Sequence, residues 1–455
     1  MEQILIAGAN IVNEGRTFEG SVLIRGERIE EVIPSGSASL VLEELENVEL
    51  IDGRGKFLLP GVIDDQVHFR DPGLTQKGDL YTESRAAVAG GVTSFMDMPN
   101  TDPKATTLAI LEEKYKLAAR KSLSNYSFFL GATNSNLEEI EKADPSRICG
   151  VKVFLGASTG NMLVDDPESL ERIFSNSRMI VAIHSEDEGI IRKNLAEYHE
   201  KYGDTIPVEA HPLIRNVDAC YTSTKRAVDL AKKHNTRLHV LHLSTAKELE
   251  LFRNDIPLVK KRITNEVCVH HLWFDDRDYA KFGSRIKWNP AIKSPDDREG
   301  LFKGLLDDTI DIIATDHAPH LEEEKSNPYL SCPSGGPLVQ HSLVIMMEFF
   351  HQHRITMEKI VEKMCHAPAT LYRISDRGFI RKGGFADLVL VDPAAPWTVS
   401  KENILYKCGW SPFEGMKFSS HISHTFVNGN LVYRNGRFDE RTRGKRLEFI
   451  PEKTN

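Results

Sequence analysis

Residues 57–73 read Phe57-Leu58-Leu59-Pro60-Gly61-Val62-Ile63-Asp64-Asp65-Gln66-Val67-His68-Phe69-Arg70-Asp71-Pro72-Gly73. An apolar run, Phe57 to Ile63, passes into alternation around Val67, as at the end of a buried strand. With a rise of about 3.3 Å per residue, positions 66 and 68 point to one side, about 7 Å apart. An amide and an imidazole can therefore converge on one cation. Arg70 follows on the same face and sets an anion-binding group beside that point.

Working outward, the strand candidates are Leu58–Ile63, Val92–Met96, Tyr126–Leu130, Gly150–Phe154, Met179–Ile183, Leu238–Leu241, Thr264–Val267 and Ile310–Ala314. Helical patterns lie between most of them: Thr82–Ala89, Thr107–Ser122, Pro167–Phe174, Ala219–His234 and Ala246–Asn254. Eight strands alternating with helices over roughly 260 residues predict a (β/α)8 TIM-like barrel of α/β class. A doubly wound open sheet is the structural alternative, but no Gly-x-Gly-x-x-Gly loop follows the first strand to mark dinucleotide binding. Residues 155–166 and 317–340 carry Gly, Ser and Pro over lengths that suit active-site loops, and 155–161 could close over a substrate.

Both ends of the chain read differently. Ile4–Val12, Ser21–Arg25 and Arg28–Val32 alternate as short strands around a turn at Gly26-Glu27. Asp387–Asp392 and His424–Val427 resume this style, with a hairpin at Asn428-Gly429. The prediction is a small β-sandwich-like domain built from both termini: residues 1–54 and 381–455 around a barrel at 55–380.

The 455 residues, 40% hydrophobic and 27% charged, suit a globular protein. A net charge of -9 argues against a nucleic-acid-coating protein. No apolar run reaches membrane-spanning length, and the N-terminus has no basic segment before an apolar core. Six cysteines without close pairing read as reduced thiols of a cytoplasmic protein, with Cys268 packed in a strand.

His68, His184 and His242 each end a strand candidate; Lys152 lies within one, and Asp316 follows one. Each alone has a plain reading: a hydrogen-bonded rim histidine, a snorkelling lysine, a turn aspartate. Together they fall on the one face where a barrel gathers its strand ends. Three imidazoles and a carboxylate suit Zn2+, with Co2+ or Mn2+ as alternatives. Lys152 conflicts with a cation as an ammonium. Carbamylation by CO2 would make it an anionic donor able to bridge two metals; the alternative is a lysine that stays charged beside carboxylates. His239, Glu266, His270 and His271 read as rim or supporting groups, Glu266 with the alternative of adding a ligand or orienting one, and His317 as a side chain turned away from the metal.

The pattern resembles the cyclic amidohydrolases, and among them the dihydroorotases most closely. The resemblance covers nearly the whole chain. It rests on Leu59-Pro60-Gly61-Val62-Ile63-Asp64, His68-Phe69-Arg70-Asp71-Pro72-Gly73, Met98-Pro99-Asn100-Thr101, the Lys152 segment, Asn265-Glu266-Val267-Cys268-Val269-His270-His271, Asp316-His317-Ala318-Pro319-His320 and Trp410-Ser411-Pro412-Phe413-Glu414-Gly415. It implies a metal-dependent barrel with one or two Zn2+ ions, held by His68, Lys152 as the carbamylated lysine, His184, His242 and Asp316. It implies that Arg70, Asn100 and His320 hold a substrate carboxylate, that Asn289 adds a contact, and that the backbone at Gly335-Gly336 meets the ring. It further implies a homodimer, reversible interconversion of L-dihydroorotate and N-carbamoyl-L-aspartate in pyrimidine synthesis, and Asp316 as proton carrier. Allantoinase or hydantoinase chemistry is the alternative within enzymes. The departure is Gln66, where the family usually has the first His of His-x-His. It leaves open a loosely held or missing second metal. It also leaves open a non-catalytic partner of an aspartate transcarbamoylase.

Overall fold

Gly61 cuts the apolar run at Phe57–Ile63 in two, and that break separates the two sheets of the protein. The computed structural model describes residues 3–35, 48–156 and 162–452. Strands β1 (Gln3–Asn13), β2 (Arg16–Arg25) and β3 (Arg28–Pro34) form an antiparallel meander. A bulge between Ile6 and Ala9 bends β1, so its first half pairs with β4 (Val48–Asp52) and its second half with β5 (Phe57–Pro60). The Gly61 N–H then donates to Asp387 O at 2.8 Å. A Cβ at Gly61 would lie 2.0 Å from Thr93 Oγ1, so only glycine lets the chain cross here.

Beyond the break run the eight parallel barrel strands: β6 (Val62–Val67), β7 (Val92–Asp97), β8 (Asn125–Gly131), β9 (Gly150–Leu155), β10 (Val181–Ser185), β11 (Leu238–Val240), β12 (Ile263–Cys268) and β13 (Ile312–Ala314). They are hydrogen-bonded in chain order. A parallel bridge between Val67 and His317 closes the ring, and His68 N–H donates to His317 O at 2.7 Å. The predicted run Leu58–Ile63 is thus the end of one sheet and the start of another.

Helices return the chain between strands, and their starts are written in the sequence. Asp79 caps α1 (Leu80–Ala89), Thr107 caps α2 (Leu108–Lys121), Asp166 caps α3 (Pro167–Asn176), Asp187 caps α4 (Glu188–Tyr202), Asn216 caps α5 (Val217–His234) and Ser294 caps α6 (Pro295–Leu306). Each cap side chain accepts an otherwise unpaired N–H of the first turn. The helix expected at Ala246–Asn254 is only a 3-10 segment, Lys247–Leu251. Sequence pattern also missed α4 and α6, whose cap residues stand before charge-rich rather than apolar stripes.

The C-terminal part adds β14 (Leu388–Asp392), a small ribbon of β15 (Trp397–Thr398) and β16 (Lys417–Phe418), then β17 (His421–Val427), β18 (Asn430–Arg434) and β19 (Arg437–Phe438). Strand β14 pairs antiparallel with both β5 and β17, joining the two ends of the chain in one nine-stranded sheet. Alternation in β14 shows how the sheet docks. Leu388 and Leu390 enter the terminal core with Ile6, Ile11 and Val22, while Val389 and Val391 enter the core shared with the barrel. Among the described residues no helix is long and apolar enough to cross a membrane.

Candidate functional site

The carboxyl ends of the barrel strands deliver the predicted residues to one place. Gln66, His68, Arg70, Asn100, Lys152, His184, His242, Asn289, Asp316 and His320 line a single cavity of about 400 Å3, with Lys77 and Gly335 at its wall. Three of its residues, Arg70 (φ 66), His242 (φ 40) and Asp316 (φ 49), sit in the left-handed backbone region. Side chains seldom adopt it, and it aims these three off their strand ends.

At one end two imidazoles face each other, His184 Nδ1 and His242 Nε2 being 3.0 Å apart. His184 Nε2 lies 2.8 Å from Glu186 Oε2. Burial alone would raise Glu186, but the Arg215 guanidinium and the His184 ring hold it at about 2. A fixed carboxylate therefore takes the His184 Nε2–H and leaves the Nδ1 lone pair facing His242. Burial keeps both rings below their ordinary range, in the neutral, ligating form. Lys152 is buried beside them, and desolvation pushes it down to about 7. Two converging lone pairs and an amine near neutrality fit a divalent cation, and they fit carbamate formation, which requires the uncharged amine.

At the other side Asp316 Oδ1 lies 3.2 Å from His68 Nε2 and accepts from Gln66 Nε2 at 3.2 Å. His68 Nδ1 donates to Asn100 Oδ1 at 2.7 Å, which turns Nε2 toward the carboxylate. Gln66 Oε1 is turned away, accepting from Cys268 Sγ at 3.6 Å.

The outer wall is cationic. Arg70 is buried, its Nε donates to Pro319 O at 3.1 Å, and its Nη2 meets His320 Nε2 at 3.1 Å. Lys77 Nζ lies 3.1 Å from His320 Nδ1 and 2.9 Å from Glu324. Both ring nitrogens of His320 thus face cations, and burial with those two charges holds it neutral. A neutral ring has one lone pair to offer these two cations, and its N–H has the Ser334 backbone and, at 3.6 Å from Nδ1, Glu324 beside it. Trp410 Nε1 donates to His320 O at 2.8 Å, which gives the C-terminal Trp-Ser-Pro motif its place. Lys325 Nζ binds the carbonyls of Pro333 and Gly335, each at 2.8 Å, and so holds the loop where a Cβ on Gly335 would crowd Ala318.

Beneath the cavity, Asp65, His239 and Glu266 bring their polar atoms within 4.8 Å of one another. His239 Nδ1 lies 2.9 Å from Thr264 Oγ1, and Nε2 lies 3.3 Å from Asp65 and 3.2 Å from Glu266. Tyr372 OH donates to Asp65 at 2.9 Å. Burial opposes charge on His239, but its hydrogen bonds to Asp65 and Glu266 outweigh it and raise the ring to about 9, while burial and the neighbouring Asp65 push Glu266 well above the usual carboxylate range, so that the trio shares its protons. The trio is therefore a charge network under the site, and Glu266 Oε1 carries it upward by accepting the His242 N–H at 3.1 Å.

His317 turns out of the cavity, its Nε2 2.9 Å from Glu83 and its Nδ1 accepting from Leu338 N. His270 stacks on Trp288 with ring centres 4.4 Å apart, and His271 Nε2 meets Pro290 O. Residues 157–161, part of the expected closing loop, lie outside the described residues. Sequence reading did not find Glu186, Arg215, Asp65 or Lys77. Glu186 stands two residues after His184 and could have been suspected; Arg215 carries no local signal.

The family model described as "Amidohydrolase family" matches residues 57–432. The dihydroorotase of Carboxydothermus hydrogenoformans is 32% identical over 446 residues, covering 95% of this chain and 98% of that protein. The dihydroorotase of Pyrococcus furiosus is 31% identical over 447 residues, covering 98% and 96%. Among solved structures, the L-hydantoinase (dihydropyrimidinase) from Arthrobacter aurescens superposes with a TM-score of 0.91 at 25% identity, covering 98% of this chain and all of that one.

Proposed function

The chain belongs to the amidohydrolase family, and from that premise we propose that it interconverts L-dihydroorotate and N-carbamoyl-L-aspartate. The observation that carries this reading is the buried Arg70 guanidinium lining one cavity with the His184–His242 pair and Asp316. A ring bearing a carboxylate would meet both that guanidinium and the polar pair. The relatives at 31–32% identity are named dihydroorotase, which supports the same substrate.

The residues divide the work. His184, His242 and Lys152 would hold a divalent cation, with His68 and Asp316 beside it; nitrogen and oxygen donors of this kind favour Zn2+. When bound, such an ion supplies Lewis acidity to the amide carbonyl and makes solvent nucleophilic near neutral pH. Asp316 would take a proton from attacking solvent and return it to the leaving ring nitrogen, a service worth about 10²–10⁴-fold. Arg70 has Nε and Nη2 engaged, which leaves Nη1 to meet the substrate carboxylate as a charge-assisted contact. Asn100 fixes the His68 ring and His320 faces the same anion. Asn289 Oδ1, buried without a partner, is free to accept a ring N–H.

The hydantoinase reading is favoured by one observation, the likeness to the Arthrobacter aurescens enzyme. Side-by-side turnover of dihydroorotate, a substituted hydantoin and allantoin, by wild type and Arg70→Gln, tests the proposal. We expect dihydroorotate to be preferred, and Arg70→Gln to raise its KM by about tenfold or more while leaving a neutral hydantoin unaffected. Faster turnover of the neutral rings, or an unchanged KM for dihydroorotate in Arg70→Gln, would reject it.

A further inference from the structure

Resting on the metal-dependent reading above, we infer that Gln66 is a hydrogen-bond donor to Asp316 and not a metal ligand, and that the chain holds one divalent cation, at His184, His242 and Lys152.

Three observations carry this. First, both ends of the Gln66 amide are engaged, and in the sense opposite to ligation. The NH2 group points at Asp316 Oδ1 at 3.2 Å, and the carbonyl, the only part of an amide that binds a cation, points at the Cys268 thiol at 3.6 Å. The opposite amide assignment would set its oxygen against a carboxylate oxygen at 3.2 Å and leave the thiol only the longer contact to Glu266 Oε1 at 4.0 Å. Gln66 is 1% exposed, so turning its side chain would break both bonds in a largely dry setting.

Second, the bond to Asp316 occupies the oxygen that also faces His68 Nε2 at 3.2 Å. A cation between His68 and Asp316 would have to share that oxygen with an N–H group, and its remaining protein donor would be Lys152, which faces Asp316 as well as the histidine pair. A neutral amide also adds no negative charge to offset a second dication.

Third, the opposite end is held by charged groups. Glu186, pinned by Arg215, fixes the His184 tautomer, and Glu266 anchors the His242 backbone from below. Groups that hold metal-binding histidines in this way typically contribute 10–100-fold in affinity. At the other end the group that orients His68 is the neutral amide of Asn100, which lines the cavity and, among the described residues, has no charged partner like Arg215 behind it. The two ends are therefore built unequally.

The balance of groups also gives Gln66 a task. Its N–H keeps Asp316 aimed into the cavity, where a second cation would otherwise do so. Gln66 is on this reading a positioning residue for Asp316.

The test is metal content of the full-length purified chain, incubated with excess Zn2+ or Mn2+ and then passed over a chelating resin, measured by inductively coupled plasma mass spectrometry. Wild type should retain one ion per chain, and Gln66→His should retain close to two. The Mn2+ form should give the resonance spectrum of an isolated ion in wild type and a spin-coupled pair in Gln66→His. Gln66→Leu, checked for folding by circular dichroism, should keep its single ion. Two ions per chain in wild type, a coupled Mn2+ pair in wild type, or loss of the ion in folded Gln66→Leu would each overturn the inference. Failure of dihydroorotate turnover with one ion still bound would instead reject the substrate, and absence of any bound ion would reject the metal-dependent reading on which this rests.

Discussion

Removing the Arg215 guanidinium should cost stability and metal affinity together, because it works through a carboxylate that is buried completely. Glu186 has no exposed side-chain surface; Arg215, 13% exposed, is its cationic partner, and His184 Nε2 is its other contact, at 2.8 Å. Arg215→Met keeps most of the side-chain volume and removes the charge. An orphaned buried charge costs about 3–5 kcal/mol, and the partial exposure of Arg215 places the expectation near about 3 kcal/mol. Glu186 would escape part of that cost by taking up a proton, since burial pushes it up once the cation is gone. A protonated carboxyl no longer fixes the His184 tautomer, so zinc affinity should fall by about 10–100-fold. Urea unfolding of the metal-free protein measures the first effect without the contribution of bound ion, and competition with a chromophoric chelator measures the second. Glu186→Gln is the companion, because its amide oxygen still accepts the His184 N–H. It should keep most of the zinc affinity, and combined with Arg215→Met it should recover stability. Arg215→Met within about 0.5 kcal/mol of wild type, with unchanged zinc affinity, would refute the reasoning.

His239→Leu should flatten the pH dependence of stability in the metal-free protein. The ring is raised from 6.5 to about 9, so its contribution is complete below pH 6.5 and lost as pH rises through 9. Wild type minus variant should then fall by about 1.4 kcal/mol per pH unit across that window; a difference that stays level from pH 6.5 to 9 would sink the charge network. Gly61→Ala should lower the thermal midpoint through overpacking of about 1–3 kcal/mol, since the new methyl meets Thr93 Oγ1 at 2.0 Å, and Thr93→Ala should restore much of it. An unaltered midpoint in Gly61→Ala would show that the chain can cross between sheets another way.

The barrel was legible where a strand ends in a side chain unlike its neighbours. His68, Lys152, His184, His242 and Asp316 each interrupt an apolar run, and parallel strands in chain order carry such interruptions to one rim. Less legible was the place where two runs abut. Leu58 and Ile63 belong to different sheets, yet nothing polar separates them, and the only mark is Pro60-Gly61. Helices α4 and α6 escaped because their exposed faces dominate the sequence pattern: in α4 only Ile191 is fully buried.

What the sequence could not show is which neighbour each polar group answers to. Gln66 looks like a weakened ligand when compared with a histidine at the same position. Only its surroundings, Asp316 on one side of the amide and Cys268 on the other, turn it into a donor. Cys268, read as a packed strand residue, is packed, and its packing is what fixes the amide. Arg215 acts on His184 through Glu186, and Trp410 acts on Arg70 through His320. In each case the residue type sets what chemistry is available, and a contact between segments distant in the chain decides whether that chemistry is ligation, donation or support. A substitution at position 66 therefore changes the role of Asp316 before it changes any ligand count, and this is why metal content and proton transfer should respond separately to Gln66→Leu and Gln66→His.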